Sequence, residues 1–127
     1  MKNIVIIGGT KGIGKAIVSE VVDNNNVVCL SRNQTDFSHD NYTFHNFDAL
    51  VDDYPDFESV DCLIYCPGSI NLKPISTLSL DDFRNDFELN VIGAVRAIKK
   101  YLNLLKKSGS ASILLFSTVA TKLGMPY

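Results

Sequence analysis

The chain is poor in the residues that mark several common protein classes. It has no tryptophan, only three cysteines and four prolines, and no apolar run as long as a membrane span, which needs about 20 residues. Cys29, Cys62 and Cys66 are odd in number and lie in apolar segments, and no histidine lies nearby to complete a zinc site. We therefore expect buried, reduced thiols, a cytoplasmic chain, no metal and no membrane partner.

Charge of one sign is also lacking. Twelve Lys and Arg face 14 Asp and Glu, for a net charge of −2, and the basic residues form no patch. This balance argues against nucleic acid as the main partner. The 127 residues, with 46% hydrophobic and 20% charged content, are ordinary for one globular domain spanning 1–127.

Compact apolar runs predict strands that are buried on both faces. Four are well defined and a fifth is weaker: Ile4–Ile7, Val27–Leu30, Cys62–Tyr65, Ile113–Phe116 and, the weaker one, Tyr42–Phe47. Continuous apolar character, rather than alternation, is typical of a parallel sheet covered by helices. The order of strands and helices predicts an α/β fold, a Rossmann-like doubly wound sheet in three layers.

Helical spacing links these runs. Ile13, Ile17 and Val21 predict a first crossover helix. Two adjacent apolar stripes predict a long helix over 91–107: Val91, Val95, Ile98, Leu102, Leu105 and Ala94, Ala97, Tyr101, Leu104. One stripe should pack on the sheet. The stripe of Ala94, Ala97, Tyr101 and Leu104 is wide enough to face a second subunit, with burial under a neighbouring helix as the alternative. We also expect a brief helix within 48–57 and a helix N-cap at Ser79.

The segment Gly8–Gly14 lies between the first strand and the first helix. Glycine permits positive φ and lets a diphosphate approach backbone N–H groups, while the helix N-terminus adds about 0.3–1 kcal/mol of attraction for an anion. Two other interpretations compete. The segment nearly matches the phosphate loop of nucleoside triphosphatases, but Ala16 stands where a hydroxyl must bind magnesium. The other is a plain tight turn without a ligand.

Together these segments resemble the short-chain dehydrogenase/reductase family over essentially the entire chain. Gly8–Gly14 is similar to that family's TGxxxGIG cofactor turn, and Asp48 resembles its adenine-binding aspartate. Tyr65–Gly68 stands in place of the NNAG segment and keeps only its glycine. Asn90–Gly93 resembles the NxxG segment, and Ser117–Ala120 follows the fifth strand where the family has Ser-Ser-x-x.

The resemblance implies an NADP(H) or NAD(H) site, and the residues after the second strand favour NADP(H). An NAD-selective site places an acid there, whereas this chain has Ser31 and Arg32, with Lys11 nearby in the glycine turn. One charge-assisted bond to a 2′-phosphate favours NADPH by roughly 10- to 100-fold; alternatively, these are ordinary solvated charges. The predicted cofactor-binding residues are Gly8, Thr10, Lys11, Gly12, Ile13, Gly14, Ser31, Arg32, Asp48, Pro67 and Gly68.

The resemblance also implies catalytic roles. Thr118 aligns with the family's carbonyl-orienting serine, with Ser117 as the alternative, and Asn90 fits the asparagine that holds a relay water. We assign Tyr127 to the substrate-side loop rather than to the catalytic acid, because no lysine follows it. We therefore expect an N-terminal half of a larger protein, whose sheet is incomplete at its C-terminal edge.

The expected function is NADPH-dependent oxidation or reduction of a small carbonyl or alcohol substrate, in a homo-oligomer formed through the 91–107 helix. The alternative is a nucleotide-binding module, or a pseudoenzyme without redox activity. The changed NNAG segment adds weight to that alternative.

Overall fold

The computed structural model describes residues 1–124, so Tyr127 lies outside the described residues. Five parallel strands form one sheet in the spatial order β3-β2-β1-β4-β5. The strands are β1 (Asn3–Ile7), β2 (Asn26–Ser31), β3 (Tyr42–Asn46), β4 (Cys62–Tyr65) and β5 (Ser112–Leu115). Each matches one of the five predicted apolar runs to within one or two residues.

Three helices connect the strands. They are α1 (Gly12–Val21), α2 (Leu80–Phe87) and α3 (Gly93–Lys107), and a widened π-helical turn over Glu88–Ile92 joins α2 to α3. Short 3₁₀ turns lie at Val22–Asn24, Ile75–Thr77 and Val119–Thr121. Ser79 is the N-cap of α2, as predicted, and its side chain accepts a hydrogen bond from the Asp82 amide.

The sheet separates two apolar layers. On one face α3 contributes Ala97 and Tyr101, both fully buried against Leu63. On the other face α1 contributes Val18, which packs with Ile6. Helices on both faces of a parallel sheet confirm the predicted doubly wound, three-layer α/β fold.

The expected helix within 48–57 is wrong. The chain makes a single turn after β3, in which the Asp48 carboxylate accepts a hydrogen bond from the Leu50 amide and the Asp52 carboxylate accepts one from the Asp48 amide. Aspartate side chains that bind nearby backbone amides compete with a helix. Only one helix-like backbone bond forms here, from the Asp52 amide to the Asp48 carbonyl at 2.9 Å, and residues 52–57 belong to neither a helix nor a strand.

The two stripes of α3 have different environments. The stripe of Ala94, Ala97 and Tyr101 is buried on the sheet, together with Leu105. Val91, Val95 and Leu102 remain 41%, 46% and 38% exposed. The prediction that one stripe packs on the sheet is therefore confirmed. The expected subunit contact through the Ala94–Leu104 stripe is wrong, because Ala94, Ala97 and Tyr101 cover the sheet, and the exposed stripe is the other one.

Strand β5 lies at an edge of the sheet. Ile113, Leu114, Leu115 and Phe116 are between 42% and 50% exposed, so apolar side chains are uncovered on both faces of this strand. An exposed apolar edge strand invites pairing with another chain. The predicted incompleteness of the sheet at this edge matches what residues 1–124 show.

Candidate functional site

A cleft opens at the carboxyl ends of β1, β2, β3 and β4, where ligands bind in doubly wound folds. It combines residues that are far apart in the sequence. Its lining is Ile7, Gly8, Thr10, Lys11, Leu30, Ser31, Arg32, Asn33, Phe47, Asp48, Ala49, Leu50, Pro67, Gly68 and Leu89. Eight of the predicted cofactor-binding residues are among them, whereas Gly12, Ile13 and Gly14 form the adjacent first turn of α1.

The glycine turn is closely packed. Gly8 has φ of 79°, in the left-handed region, and a Cβ there would lie 3.2 Å from the Pro67 nitrogen. Gly14 is buried, and a Cβ on it would overlap the Gly8 carbonyl oxygen. Glycine at both positions lets α1 begin directly against the end of β1.

The first turn of α1 has no side-chain cap. Lys11 occupies the N-cap position with extended backbone, and its side chain accepts no hydrogen bond from the turn. The N–H groups at a helix N-terminus have no partner within the helix, and here no capping oxygen replaces one. Such a terminus attracts anions.

Polar contacts connect the glycine turn to the end of β2. The hydroxyls of Thr10 and Ser31 lie 2.8 Å apart, and Thr10 is only 6% exposed. The Asn46 side-chain amide donates to the Arg32 carbonyl at 2.8 Å, which fixes the backbone there. Lys11 and Arg32 are exposed, and neither takes part in an ion pair within residues 1–124. Two cations thus flank the cleft without a protein carboxylate bound to them.

Arg96 of α3 holds the opposite wall of the cleft. Its guanidinium donates to the carbonyls of Ala49 and Asp52, at 3.1 and 2.7 Å, and lies 5.8 Å from the centre of the Tyr54 ring. These contacts fix the turn that begins at Asp48. The planar fork of arginine suits this use, since it donates to several acceptors at once.

Asn90 lies in the widened turn, directly after Leu89, which lines the cleft. Its side chain accepts a hydrogen bond from the Ser69 amide and donates one to the Ser69 carbonyl, both at 2.8 Å. The Asp86 carboxylate accepts a hydrogen bond from the Ser69 hydroxyl and another, at 3.0 Å, from the side-chain amide of Asn71. The loop after β4 is therefore bound to the helical segment, and the Asn90 side chain is already occupied by protein atoms.

Ser117 and Thr118 follow β5 at the same edge of the sheet, because the parallel register places Leu115 beside Tyr65. The Thr118 hydroxyl accepts a hydrogen bond from the Ala120 amide at 3.2 Å and so caps a 3₁₀ turn. Neither residue is hydrogen-bonded to Asn90 in the described part of the chain. The three candidate catalytic residues thus share one edge but form no connected group there.

None of the three thiols lines the cleft: Cys29 and Cys66 lie beside the glycine turn, and Cys62 begins β4 at the opposite end of the sheet. Cys29 is buried, Cys62 and Cys66 are half-buried, and all three are unpaired by disulfides. Burial raises the pKa of the Cys66 thiol to about 11 and also raises the pKa of Cys29. The Cys29 and Cys66 thiols therefore remain protonated at neutral pH and pack as apolar side chains.

Within residues 1–124, no helix combines the length and apolar character that crossing a membrane requires. The same residues hold no cluster of three or more His, Cys, Asp or Glu suited to a metal ion.

The strand order and the glycine turn at the carboxyl edge define the Rossmann class of α/β folds. The family model for short chain dehydrogenase matches residues 34–127. The chain belongs to the short-chain dehydrogenase family.

Individual relatives agree with this assignment. Human 17-beta-hydroxysteroid dehydrogenase type 1 is 31% identical over 68 residues, which are 54% of this chain and 21% of that protein. ElxO with NADP bound is 24% identical with a TM-score of 0.84, over 100% of this chain and 60% of that one. A Leptospira borgpetersenii short-chain dehydrogenase with bound NAD+ is 19% identical with a TM-score of 0.84, over 98% of this chain and 54% of that one. The chain thus spans at most three fifths of these three proteins.

Sequence reasoning missed several residues of the site. Arg96 and Asp86 act through contacts between distant segments, and no local motif marks them. Leu89 and Asn33 line the cleft only because the loops converge there. The change from Asn to Tyr at position 65 was visible, but the contacts of that tyrosine were not.

Proposed function

We propose that the chain binds NADP(H) in this cleft and serves an oxidoreductase that acts on a small carbonyl or alcohol. The single observation that carries the proposal is the uncapped turn at Gly12–Gly14, which the tightly packed Gly8 and Gly14 hold directly against the end of β1. Such a turn fits a diphosphate. Bound there, a nicotinamide cofactor supplies or accepts hydride.

The choice of NADPH over NADH rests on charge. Arg32 and Lys11 are exposed cations at the proposed ribose end of the cleft. The two lining residues directly after β2 are Arg32 and Asn33, and neither is acidic. A 2′-phosphate offers them an opposite charge and several acceptor oxygens for bidentate hydrogen bonds, whereas a 2′-hydroxyl is neutral and has a single oxygen. Asp48 is proposed to contact the adenine ring. Arg96 fixes the turn that begins at Asp48 through its hydrogen bonds to the Ala49 and Asp52 carbonyls.

The catalytic proposal assigns a hydrogen bond to the substrate oxygen from Thr118 or Ser117. The Thr118 hydroxyl accepts from Ala120 and keeps its own proton to donate. Asn90, whose side chain is bound to Ser69, is proposed to hold a relay water through its backbone carbonyl. Pro67 and Gly68 are proposed to flank the nicotinamide ribose, beside Gly8.

A titration tests the proposal directly. NADPH and NADH are added to the purified chain, and binding is followed by calorimetry. The expected result is saturable binding of one NADPH per chain, at least tenfold tighter than NADH. No binding of either cofactor would overturn the proposal, and equal binding would overturn its choice of NADPH.

A nucleotide-binding module without redox activity is the second candidate. The observation in its favour is that Tyr65 and Pro67 replace family residues beside the proposed nicotinamide position, while the phosphate end keeps its glycines. A module would bind NADPH and 2′,5′-ADP with nearly equal affinity, because only the adenosine end would contribute. An enzyme site would bind NADPH more tightly.

A homo-oligomer formed through α3 is also proposed. Its support is a line of exposed apolar side chains along α2 and α3, which includes Phe83, Phe87, Val91, Val95 and Leu102. The free thiols favour a reducing compartment, and we propose the cytoplasm.

The subunit contact is tested by Val95→Asp, which places a charge at the centre of this line. Light scattering should show an oligomer of the unchanged chain, and Val95→Asp should weaken its association by roughly tenfold or more. Ile113→Lys on the exposed β5 strand is the matched control and should leave the association intact. A monomeric unchanged chain, or dissociation by Ile113→Lys alone, would contradict the proposed interface.

A further inference from the structure

Tyr65, the last residue of β4, reaches across to the helical segment. Its side chain is buried, with 4% exposure, and its hydroxyl donates to the Leu89 carbonyl at 2.6 Å. Leu89 directly precedes Asn90 in the widened turn. A strand and a turn 24 positions apart in sequence are therefore joined at the residue next to the candidate catalytic asparagine.

Gly93 makes this contact possible. A Cβ at position 93 would overlap the Tyr65 hydroxyl oxygen and lie 3.1 Å from the ring carbon that carries it. A second tyrosine binds the same segment, since the Tyr54 hydroxyl donates to the Gly93 carbonyl at 3.2 Å. A tyrosine at position 65 therefore requires a glycine at position 93, since any larger residue there would overlap its hydroxyl.

The widened turn explains why a side-chain donor is placed here. Its backbone follows the wider π spacing, in which the Gly93 amide donates to the Glu88 carbonyl. Such turns distort the carbonyl ladder of a helix and recur at functional sites. The Tyr65 hydroxyl supplies a hydrogen bond within this distorted region.

The turn orients Asn90 toward the loop after β4. Both ends of its side-chain amide bind the Ser69 backbone, and Gly68 lies against its oxygen. Asp86, one helical turn earlier, binds the Ser69 hydroxyl and the Asn71 amide. A shift of the turn would therefore move the loop that continues from the cleft.

We propose that Tyr65 is a positioning residue for this site. Its hydroxyl fixes the Leu89 carbonyl, and thereby the widened turn, so that Asn90 holds Ser69 and sets the course of the chain after Gly68. The importance of this position for hydride transfer rests on the proposed function, whereas the contacts themselves do not.

Tyr65→Phe tests the proposal by removing only the hydroxyl. In ¹⁵N-labelled chain, the Ser69 amide should exchange with solvent roughly 5- to 10-fold faster, and the Asn90 side-chain amide resonances should shift toward free values. Tyr101→Phe is the matched control, because Tyr101 on α3 is also buried and its hydroxyl also donates to a backbone carbonyl, that of Pro55. It should leave both signals unchanged.

A rescue experiment keeps the test independent of general destabilisation. Gly93→Ala should raise the unfolding equilibrium constant, measured in urea, by roughly 10- to 100-fold through its overlap with Tyr65. In the Tyr65→Phe background, Gly93→Ala should raise the unfolding equilibrium constant by a factor at least about fivefold smaller, since the overlapping atom is gone.

The proposal is overturned if Tyr65→Phe leaves the Ser69 and Asn90 signals as they were, if Tyr101→Phe perturbs them equally, or if the two substitutions at 65 and 93 act additively. None of these measurements uses a cofactor. A chain that fails to bind NADPH but shows the expected signals would refute the proposed function alone, and the reverse result would refute the role of Tyr65 alone.

Discussion

Gly14→Ala is expected to abolish detectable NADPH binding and to destabilise the chain. Its Cβ would overlap the Gly8 carbonyl oxygen, which is backbone and has little room to move. Overpacking costs typically about 1–3 kcal/mol, and a rigid neighbour places this site at the upper end of that range. The displaced helix would also withdraw its amides from the diphosphate position. Urea denaturation and calorimetric titration measure the two effects.

Gly124→Ala is the control for the alanine itself, because nothing lies within 4 Å of a Cβ there. Gly12→Ala separates backbone strain from overlap, since Gly12 has φ of 51° but also no neighbour within 4 Å. It should cost about 1–2 kcal/mol. If Gly14→Ala instead binds NADPH like the unchanged chain, the close packing of the turn does not serve the cofactor.

Arg32→Ala is expected to weaken NADPH binding by roughly 10- to 100-fold while changing NADH binding less than about threefold. The difference arises because the guanidinium would bond only to the 2′-phosphate, through hydrogen bonds worth about 1.5–3 kcal/mol each. The ratio of the NADPH and NADH dissociation constants, measured by calorimetry, separates the loss of these hydrogen bonds from any general loss of structure.

Lys99→Ala is the matched control, because Lys99 is an exposed cation on α3 that does not line the cleft. It should leave both constants unchanged. If Arg32→Ala weakened the binding of NADPH and NADH equally, Arg32 would not recognise the 2′-phosphate. Since the effect is electrostatic, the NADPH preference should also shrink as salt is raised.

The fold was predictable from local patterns. Apolar runs such as Ile4–Ile7 and Cys62–Tyr65 remain buried on both faces of a parallel strand, so their composition alone identifies them. The glycine turn was equally visible, because positive φ at Gly8 and the close approach at Gly14 restrict the residue type.

The segment after β3 shows where such reasoning ends. Its sequence predicts a short helix, but Asp48 and Asp52 bind backbone amides of the same turn. The carbonyl of Asp52 then accepts from Arg96, which lies 44 residues further along the chain. No local pattern encodes that partner, because it arrives only when α3 packs on the sheet.

The candidate site was predictable only at its phosphate end. Asn90 was identified by its resemblance to a motif, but its bonds to Ser69 depend on the widened turn and on Tyr65. A lone tyrosine at a strand end carries no signal for this arrangement. The roles of Asn90, Ser117 and Thr118 remain predictions, since they depend on a substrate as well as on the chain.

The central claim is that the bare amides of the first turn of α1 receive the diphosphate of the cofactor. Titration of ¹⁵N-labelled chain with NADPH, followed through its amide resonances, tests this most directly. The account predicts saturable shifts that are largest at Gly12, Ile13 and Gly14. Saturable NADPH binding that leaves these three amides unmoved, or an absence of any saturable shift, would contradict it.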